Sequence, residues 1–280
     1  MTNTQMDALT AEAALISSGE LLVARLELQR NCDATVSATH TVKFIKTARD
    51  SIDAAIGRIG LWDHNIVLGQ ECDFWHPSLR SNGVGAGLAQ YIMGLPRIQL
   101  TILTSQASVV NDLSNIIKDA NPGRLTIMYR MGIPLGRNDV LMAVDPQSSP
   151  ILERLTALRK CREMGVTVAA LVDGILPGIG DSPADLKMTF SLLREVGVTE
   201  LRIAPLRLND PRARDFSERL RTAGLIKEAH SANYAYILFG WERFYKPLIS
   251  NAQKAATETG FSNRLSIVFP RRYVKEGDGQ

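Results

Sequence analysis

Cysteine is scarce in this chain: three in 280 residues, Cys32, Cys72 and Cys161, far apart and outside any CxxC pattern. An odd, scattered set excludes the disulfide framework of a small secreted domain and a structural zinc site, and it fits a reducing cytoplasm. Long apolar runs are missing too, none approaching the roughly 18 residues that a membrane-spanning helix needs. The first 20 residues carry Asp7, Glu12 and Glu20 without a basic cluster, so no signal peptide is expected. Charge of one sign is also lacking. With 32 Lys and Arg against 29 Asp and Glu, net +3, the pI of about 8.8 gives little support for a nucleic-acid partner. GxSxG and HExxH are absent, and no His stands with a Ser or Cys in a pattern that suggests a triad.

What is present is 45% hydrophobic residues, enough to bury a large core in one α/β domain or two smaller ones. The most ordered stretch is 149–208, where Arg162-Glu163-Met164-Gly165-Val166-Thr167 returns 32 positions later as Arg194-Glu195-Val196-Gly197-Val198-Thr199. Each copy ends an amphipathic run and opens a short apolar one. The first run places Ile151, Leu152, Leu155, Leu158 and Cys161 at helical spacing behind Ser149 and Pro150, a capping residue and a favoured first helical residue. The second repeats the device with Ser182 as cap, Pro183 first, Asp185 in the first turn, and Leu186, Phe190 and Leu193 on one face. Gly165 and Gly197 stop the two helices. Between them, residues 166–172 are too apolar for a surface strand. A strand buried on both faces between helices means a parallel sheet.

Along the chain, residues 1–18 read as a loose alanine-rich helix and 21–28 as a first strand, followed by a polar loop to residue 40. Phe44, Ile45, Ala48, Ile52, Ala55, Ile56 and Ile59 stripe a helix over 42–59. Further strands are expected at 65–69, 98–104, 124–130, 166–172 and 200–206, with helices over 84–94 and through Val109, Leu113 and Ile116. Residues 131–144, which include Gly132, Pro134 and Gly136, read as irregular. Toward the C-terminus the expectation is a strand at 234–239, a helix through Trp241, Phe244, Leu248 and Ala252, a strand near 265–269, and a charged tail at 271–280. No low-complexity linker divides the chain. Strands alternating with helices in the parallel sense leave an open sheet or a partial barrel.

In such a fold ligands bind where the strands end. That rule selects Asn31, Cys32 and Asp33, then Gln70, Glu71, Cys72, Asp73 and His76, then Thr104, Ser105 and Gln106, then Arg130, the loop 173–182, and Arg207, Asn209 and Asp210. In Leu176-Pro177-Gly178-Ile179-Gly180-Asp181 two glycines permit close backbone approach to a ligand, and the following helix offers free amides. The same glycines serve equally to turn the chain from strand to helix. The loop is neither a Walker loop nor a GxGxxG fingerprint. Trp75 and Phe74 could wall a base or simply pack.

The run Asp145-Pro146, Pro150, Arg154-Leu155, Gly165, Leu176 to Asp181 and Leu206-Arg207-Leu208 resembles the core of radical S-adenosylmethionine proteins, in the branch of spore photoproduct lyase and the DNA-repair-photolyase-like proteins. Residues 69–77 (GQECDFWHP) are similar to that branch's second-strand loop, and 104–112 to its third-strand exit. The resemblance covers roughly residues 21–225. It implies an α/β fold, a partial (β/α)6 TIM-like barrel of parallel strands, with residues 1–20 as an extension and 226–280 as a C-terminal α/β extension packed on the same domain. It also implies S-adenosylmethionine across the strand ends. Gln70, Glu71 and Asp73 would face the methionine part, Gly178, Gly180 and Asp181 the adenine, Arg207 the adenine edge, and Arg130 a ribose or carboxylate.

The family's CxxxCxxC motif holds a four-iron, four-sulfur cluster through three thiolates. Here Cys32 stands at the first position, but Val36 and Thr39 occupy the second and third. Neither replaces a thiolate, so the usual cluster is not expected. A metal site from Cys32, Cys72, His40 and His76 is the less favoured option, since buried cysteines are usually small hydrophobes and loop histidines usually solvated. Cys161, on an apolar helix face, reads as core. The expected function is a cytoplasmic binding or accessory protein that keeps a pocket for S-adenosylmethionine or a nucleoside-type small molecule, with a protein partner compatible and no membrane. The alternative is an active enzyme modifying a nucleic acid or small molecule with unusual cluster or metal ligation. A barrel enzyme acting on an unrelated metabolite is a third option.

Overall fold

The computed structural model describes residues 13–18, 21–26, 46, 48–50, 52–53, 56, 64–69, 73–80, 83–132, 136–175, 177–205, 211–238 and 241–268. It begins with two strands, β1 (Ala13–Ser18) and β2 (Leu21–Leu26), paired antiparallel with Ser18 opposite Leu21. Only Gly19 and Glu20 connect them, and glycine leading a two-residue connection is a hairpin signal. This corrects two expectations. Residues 13–18 are strand and not loose helix, and residues 21–26 belong to a two-stranded sheet of their own, apart from the parallel one.

The parallel sheet has six strands: β3 (His64–Leu68), β4 (Ile98–Thr104), β5 (Leu125–Arg130), β6 (Thr167–Ile175), β7 (Glu200–Pro205) and β8 (Leu265–Ile267). They are ordered β3-β4-β5-β6-β7-β8. Spatial order therefore follows chain order with no reversal, the connectivity of a partial TIM-like barrel and not of a doubly wound sheet with a switch point. The sixth strand is the C-terminal one, so what was expected as part of an extension completes the sheet.

The helices are α1 (Pro77–Arg80), α2 (Val84–Gly94), α3 (Val110–Ile116), α4 (Asn138–Val144), α5 (Ile151–Glu163), α6 (Pro183–Glu195), α7 (Pro211–Thr222), α8 (Ile226–Leu238) and α9 (Lys246–Thr259), the last entered through a π-helical turn at Trp241–Tyr245. Helical Ala48, Ile52 and Ile56, four residues apart, are buried as the stripe over 42–59 required. Two local readings fail. Residues 234–238 continue α8, because Ile226, Ala229 and Ala232 set a helical spacing that runs into Tyr234, and a short apolar run does not by itself tell strand from helix. The stretch 131–144, expected to be irregular, ends in α4.

The repeated glycine motif is a helix closure in the pattern of a Schellman cap. Val166 N–H donates to Cys161 O at 3.1 Å and Val198 N–H to Leu193 O at 3.0 Å, with Gly165 and Gly197 at φ of 78° and 87°. Among the described residues the closure recurs, Leu225 N–H to Leu220 O at 2.9 Å past Gly224 and Phe261 N–H to Ala256 O at 2.7 Å past Gly260. Positive φ favours glycine at each.

The chain divides into two compact units, Met1–Tyr129 with Ala157–Val168, and Arg130–Thr156 with Ala169–Gln280. In the first, Ile66, Leu68, Leu88, Ile92, Leu100, Ile102, Leu113 and Ile127 are buried around β3, β4 and β5. Cys161 is buried there as well, and burial pushes its thiol up to about 12. In the second, Leu201, Ile203, Phe190, Leu193, Leu248 and Phe261 are buried, with Phe190 and Phe261 meeting edge to face at 6.2 Å between centroids. Among the described residues no helix is long and apolar enough to cross a membrane.

Candidate functional site

Parallel strands deliver their C-terminal exits to one end of the sheet. In the first unit β3 ends at Gly69, whose φ of 98° is a glycine conformation. A Cβ there would stand 1.9 Å from the carbonyl oxygen of Leu103 on β4. The exit loop then folds back on the next strand through Asp73. One carboxylate oxygen accepts from the backbone N–H of Trp75 at 2.9 Å and from Thr104 Oγ1 at 2.8 Å. The other accepts from Ser105 N–H at 2.6 Å, Ser105 Oγ at 2.9 Å and Thr104 Oγ1 at 2.9 Å. Thr104 and Ser105 are buried, 0% and 8% exposed. Asp73 is thus the clasp between two strand exits, a positioning role that its place in the sequence could not disclose.

Beyond it, Phe74 and Trp75 are buried, and Trp75 Nε1 donates to Asp112 Oδ2 at 3.0 Å. Gly85, in the first turn of α2, fits against them. A Cβ there would lie 3.1 Å from Phe74 and 3.2 Å from the indole, so the helix approaches the aromatic pair as closely as backbone allows. His76 is half-buried, its N–H on Asp73 O at 3.0 Å. Gln70, Glu71, Cys72, Cys32 and His40 lie outside the described residues. Among those described, no three His, Cys, Asp or Glu side chains gather as metal ligands.

In the second unit Arg130, the last residue of β5, makes an ion pair with Asp173 near the end of β6, Nη1 to Oδ2 at 3.1 Å, both side chains about a quarter exposed. The register of β6 against β7 shifts between Asp173 and Ile175. Gly132 and Gly174, at φ of 55° and 69°, take backbone conformations that favour glycine. Buried Arg154 supports this exit from below, donating from Nη1 to Arg130 O and from Nε to Ser149 O at 2.6 Å. Asp173 opens the loop 173–182 that the strand-exit rule selects, but the resemblance gives a role to Arg130 and none to Asp173. A polar pair closing the ends of adjacent strands was the available signal.

The loop after β6 is held by its own acid. Gly178 N–H donates to Asp181 Oδ1 at 3.0 Å, Asn251 Nδ2 on α9 donates to Asp181 O at 3.2 Å, and Ser231 of α8 lies 3.4 Å from where a Gly178 Cβ would be. Ser182 caps α6, accepting from Asp185 N–H at 3.1 Å while its hydroxyl donates to Asp185 Oδ2 at 2.7 Å. Gly178 and Gly180, at φ of 75° and 84°, make the turn. Burial raises the Asp181 carboxyl above its usual range, against the lowering influence of the Gly178 N–H. A folded-state pKa above the unfolded one means that stability falls as pH rises from the unfolded value through the folded one. Asp181→Asn, which keeps the accepting oxygen and discards the charge, is expected to be more stable than the parent at neutral pH, with the difference vanishing in acid. Urea melts across pH check this, and a variant less stable at pH 7 would refute it. Arg207 lies outside the described residues.

No protein-family model matches the chain, and no curated protein matches it. Solved structures do. Spore photoproduct lyase complexed with dinucleoside spore photoproduct superposes with a TM-score of 0.57 at 14% identity, covering 80% of this chain and 66% of the lyase. A doubly substituted variant of that lyase with bound AdoMet and dinucleoside spore photoproduct gives 0.55 at 13%, covering 84% of this chain and 72% of the other. This chain thus spans about two thirds of the length of the lyase structures it matches. What the likeness establishes is architecture: the partial barrel implied by the radical S-adenosylmethionine resemblance is the fold this chain has.

Proposed function

We propose that this chain binds S-adenosylmethionine or a nucleoside-type relative at its strand exits and acts as a cytoplasmic binding or accessory protein without cleaving that ligand reductively. The observation that carries the reading is the shared fold with a lyase whose structure holds AdoMet. In this reading Gln70 and Glu71 face the methionine part from a loop that Asp73 positions. Gly178 and Gly180 give the adenine close access to backbone, with Asp181 tying their loop, and Arg207 meets the adenine edge. Arg130 and Asp173 offer a donor and an acceptor side by side, the pairing that ribose hydroxyls need.

A four-iron, four-sulfur cluster asks for three thiolates. The chain has three cysteines, and Cys161 is fully buried with its thiol raised to about 12, which leaves Cys32 and Cys72. Two thiols do not fit the group.

Calorimetric titration with S-adenosylmethionine should give saturable binding, weakened about tenfold by Arg130→Gln through loss of a charge-assisted hydrogen bond. Anaerobic iron–sulfur reconstitution should leave the protein colourless. No binding would sink the pocket. Iron uptake with visible absorbance that Cys32→Ala abolishes would sink the accessory reading in favour of a cluster-bearing enzyme.

A further inference from the structure

Two helices late in the chain, α8 and α9, reach two strand exits of the second unit. On the segment leaving β5, Arg137 donates from Nε and Nη2 to the two carboxylate oxygens of Asp139, each at 3.0 Å, and from Nη2 to Glu228 Oε1 of α8 at 2.8 Å. The bond from Arg137 holds the Glu228 carboxyl below the usual carboxylate range, so the pair is charged at neutral pH. On the loop leaving β6, Asn251 Nδ2 of α9 donates to Asp181 O, and Ser231 Oγ of α8 stands 3.4 Å from the point that a Gly178 Cβ would occupy. Glu228 and Ser231 are three residues apart and so share a face of α8, while Ala229 and Ala232 are buried and seat the helix.

These contacts do little for global stability. The Arg137 side chain is 36% exposed, and an ion pair at such a site contributes weakly, as does a single neutral hydrogen bond. Their effect is local. Gly178 and Gly180 give the β6 exit loop more conformational freedom than any other residue type would. Asp181 closes that loop on itself through Gly178 N–H, and Asn251 joins the closed loop to α9. A loop fixed before its ligand arrives does not have to be ordered on binding.

We propose that α8 and α9 frame the ligand site of the second unit, with Asn251 and Glu228 as positioning residues that set the β6 and β5 exits for the nucleoside end of the ligand. The inference rests on the S-adenosylmethionine reading of those exits. Residues 226–259 then serve affinity as well as packing.

The test compares three variants of the full chain with the parent. Asn251→Asp keeps the shape and removes the donor, Asn251→Gln keeps an amide donor, and Glu228→Gln keeps the shape and removes the charge. Hydrogen exchange of the free protein, read by mass spectrometry, should be about tenfold faster over 177–182 in Asn251→Asp, with β6 and the melting temperature close to the parent. Calorimetry should show S-adenosylmethionine bound about tenfold more weakly by Asn251→Asp, less weakened by Glu228→Gln, and close to the parent for Asn251→Gln. Unchanged exchange over 177–182 in Asn251→Asp overturns the positioning role whether or not the parent binds the ligand. Faster exchange with undiminished affinity overturns it too, as does a fall in melting temperature with exchange faster throughout, which would make Asn251 a packing residue. Affinity equal to the parent in Glu228→Gln removes α8 from the frame. A parent that binds no S-adenosylmethionine, with the loop still loosened by Asn251→Asp, sinks the proposed function and leaves the support of the β6 exit by α9 standing.

Discussion

Gly69→Ala is expected to cost the protein about 4 kcal/mol or more, at the extreme of what single substitutions do. The new Cβ would fall 1.9 Å from Leu103 O and 3.0 Å from Leu103 C, both backbone atoms. No side chain can swing away to make room. Leu103 belongs to β4, which is paired to β3 with Leu68 opposite Ile102, so relief requires the two strands to part at their exits. The φ of 98° adds strain of its own for a residue with a Cβ. Against a typical total stability of about 5–15 kcal/mol, such a loss leaves a marginal fold. A fall in soluble yield and an early urea transition are the expected readouts. A variant melting with the parent would mean that the close approach is not required.

Asp73→Ala is expected to cost about 3 kcal/mol, and Asp73→Asn nearly as much. Alanine strands the buried hydroxyls of Thr104 and Ser105 and the N–H groups of Ser105 and Trp75, which the carboxylate now satisfies. Asparagine retains one oxygen, but its NH2 must face either the Trp75 or the Ser105 backbone donor, neither of which can turn away. The hydroxyls can rotate to accept; the amides cannot. Urea melts of the two variants test this, and S-adenosylmethionine titration of whatever folds separates clasp from contact. If Asp73 served only as a ligand contact, both variants would melt with the parent.

These two residues also mark where the sequence was legible. The strand at 98–104 and the helix at 84–94 stand where the sequence puts them, because a short apolar run and a helix-forming stretch are local patterns. Local pattern failed at 234–238, where an aromatic and aliphatic run suits strand and helix equally, and at 13–18, where an alanine-rich segment pairs as a strand with its neighbour. Asp73 stood out as a strand-exit acid. Its partners lie 31 and 32 residues away, and only the pairing of β3 with β4 brings them together. Arg130 and Asp173 likewise both fell among the strand-exit residues, but their pairing across 43 residues was not legible, since an ion pair between strand ends depends on which strands are neighbours. Trp75 and Asp112 are a third case.

The division of the chain carries a consequence for its synthesis. The first unit ends at Tyr129 and resumes for Ala157–Val168, a segment that brings buried Leu158, Cys161, Val166 and Val168. A ribosome that has released only the first 129 residues has therefore not yet supplied all of that unit's core, and the missing part arrives after 27 residues of the other unit, Arg130–Thr156, have passed. Without that segment the first unit lacks these buried side chains. A truncation placed at the apparent boundary after Tyr129 would expose an unfinished interior rather than liberate a free-standing half.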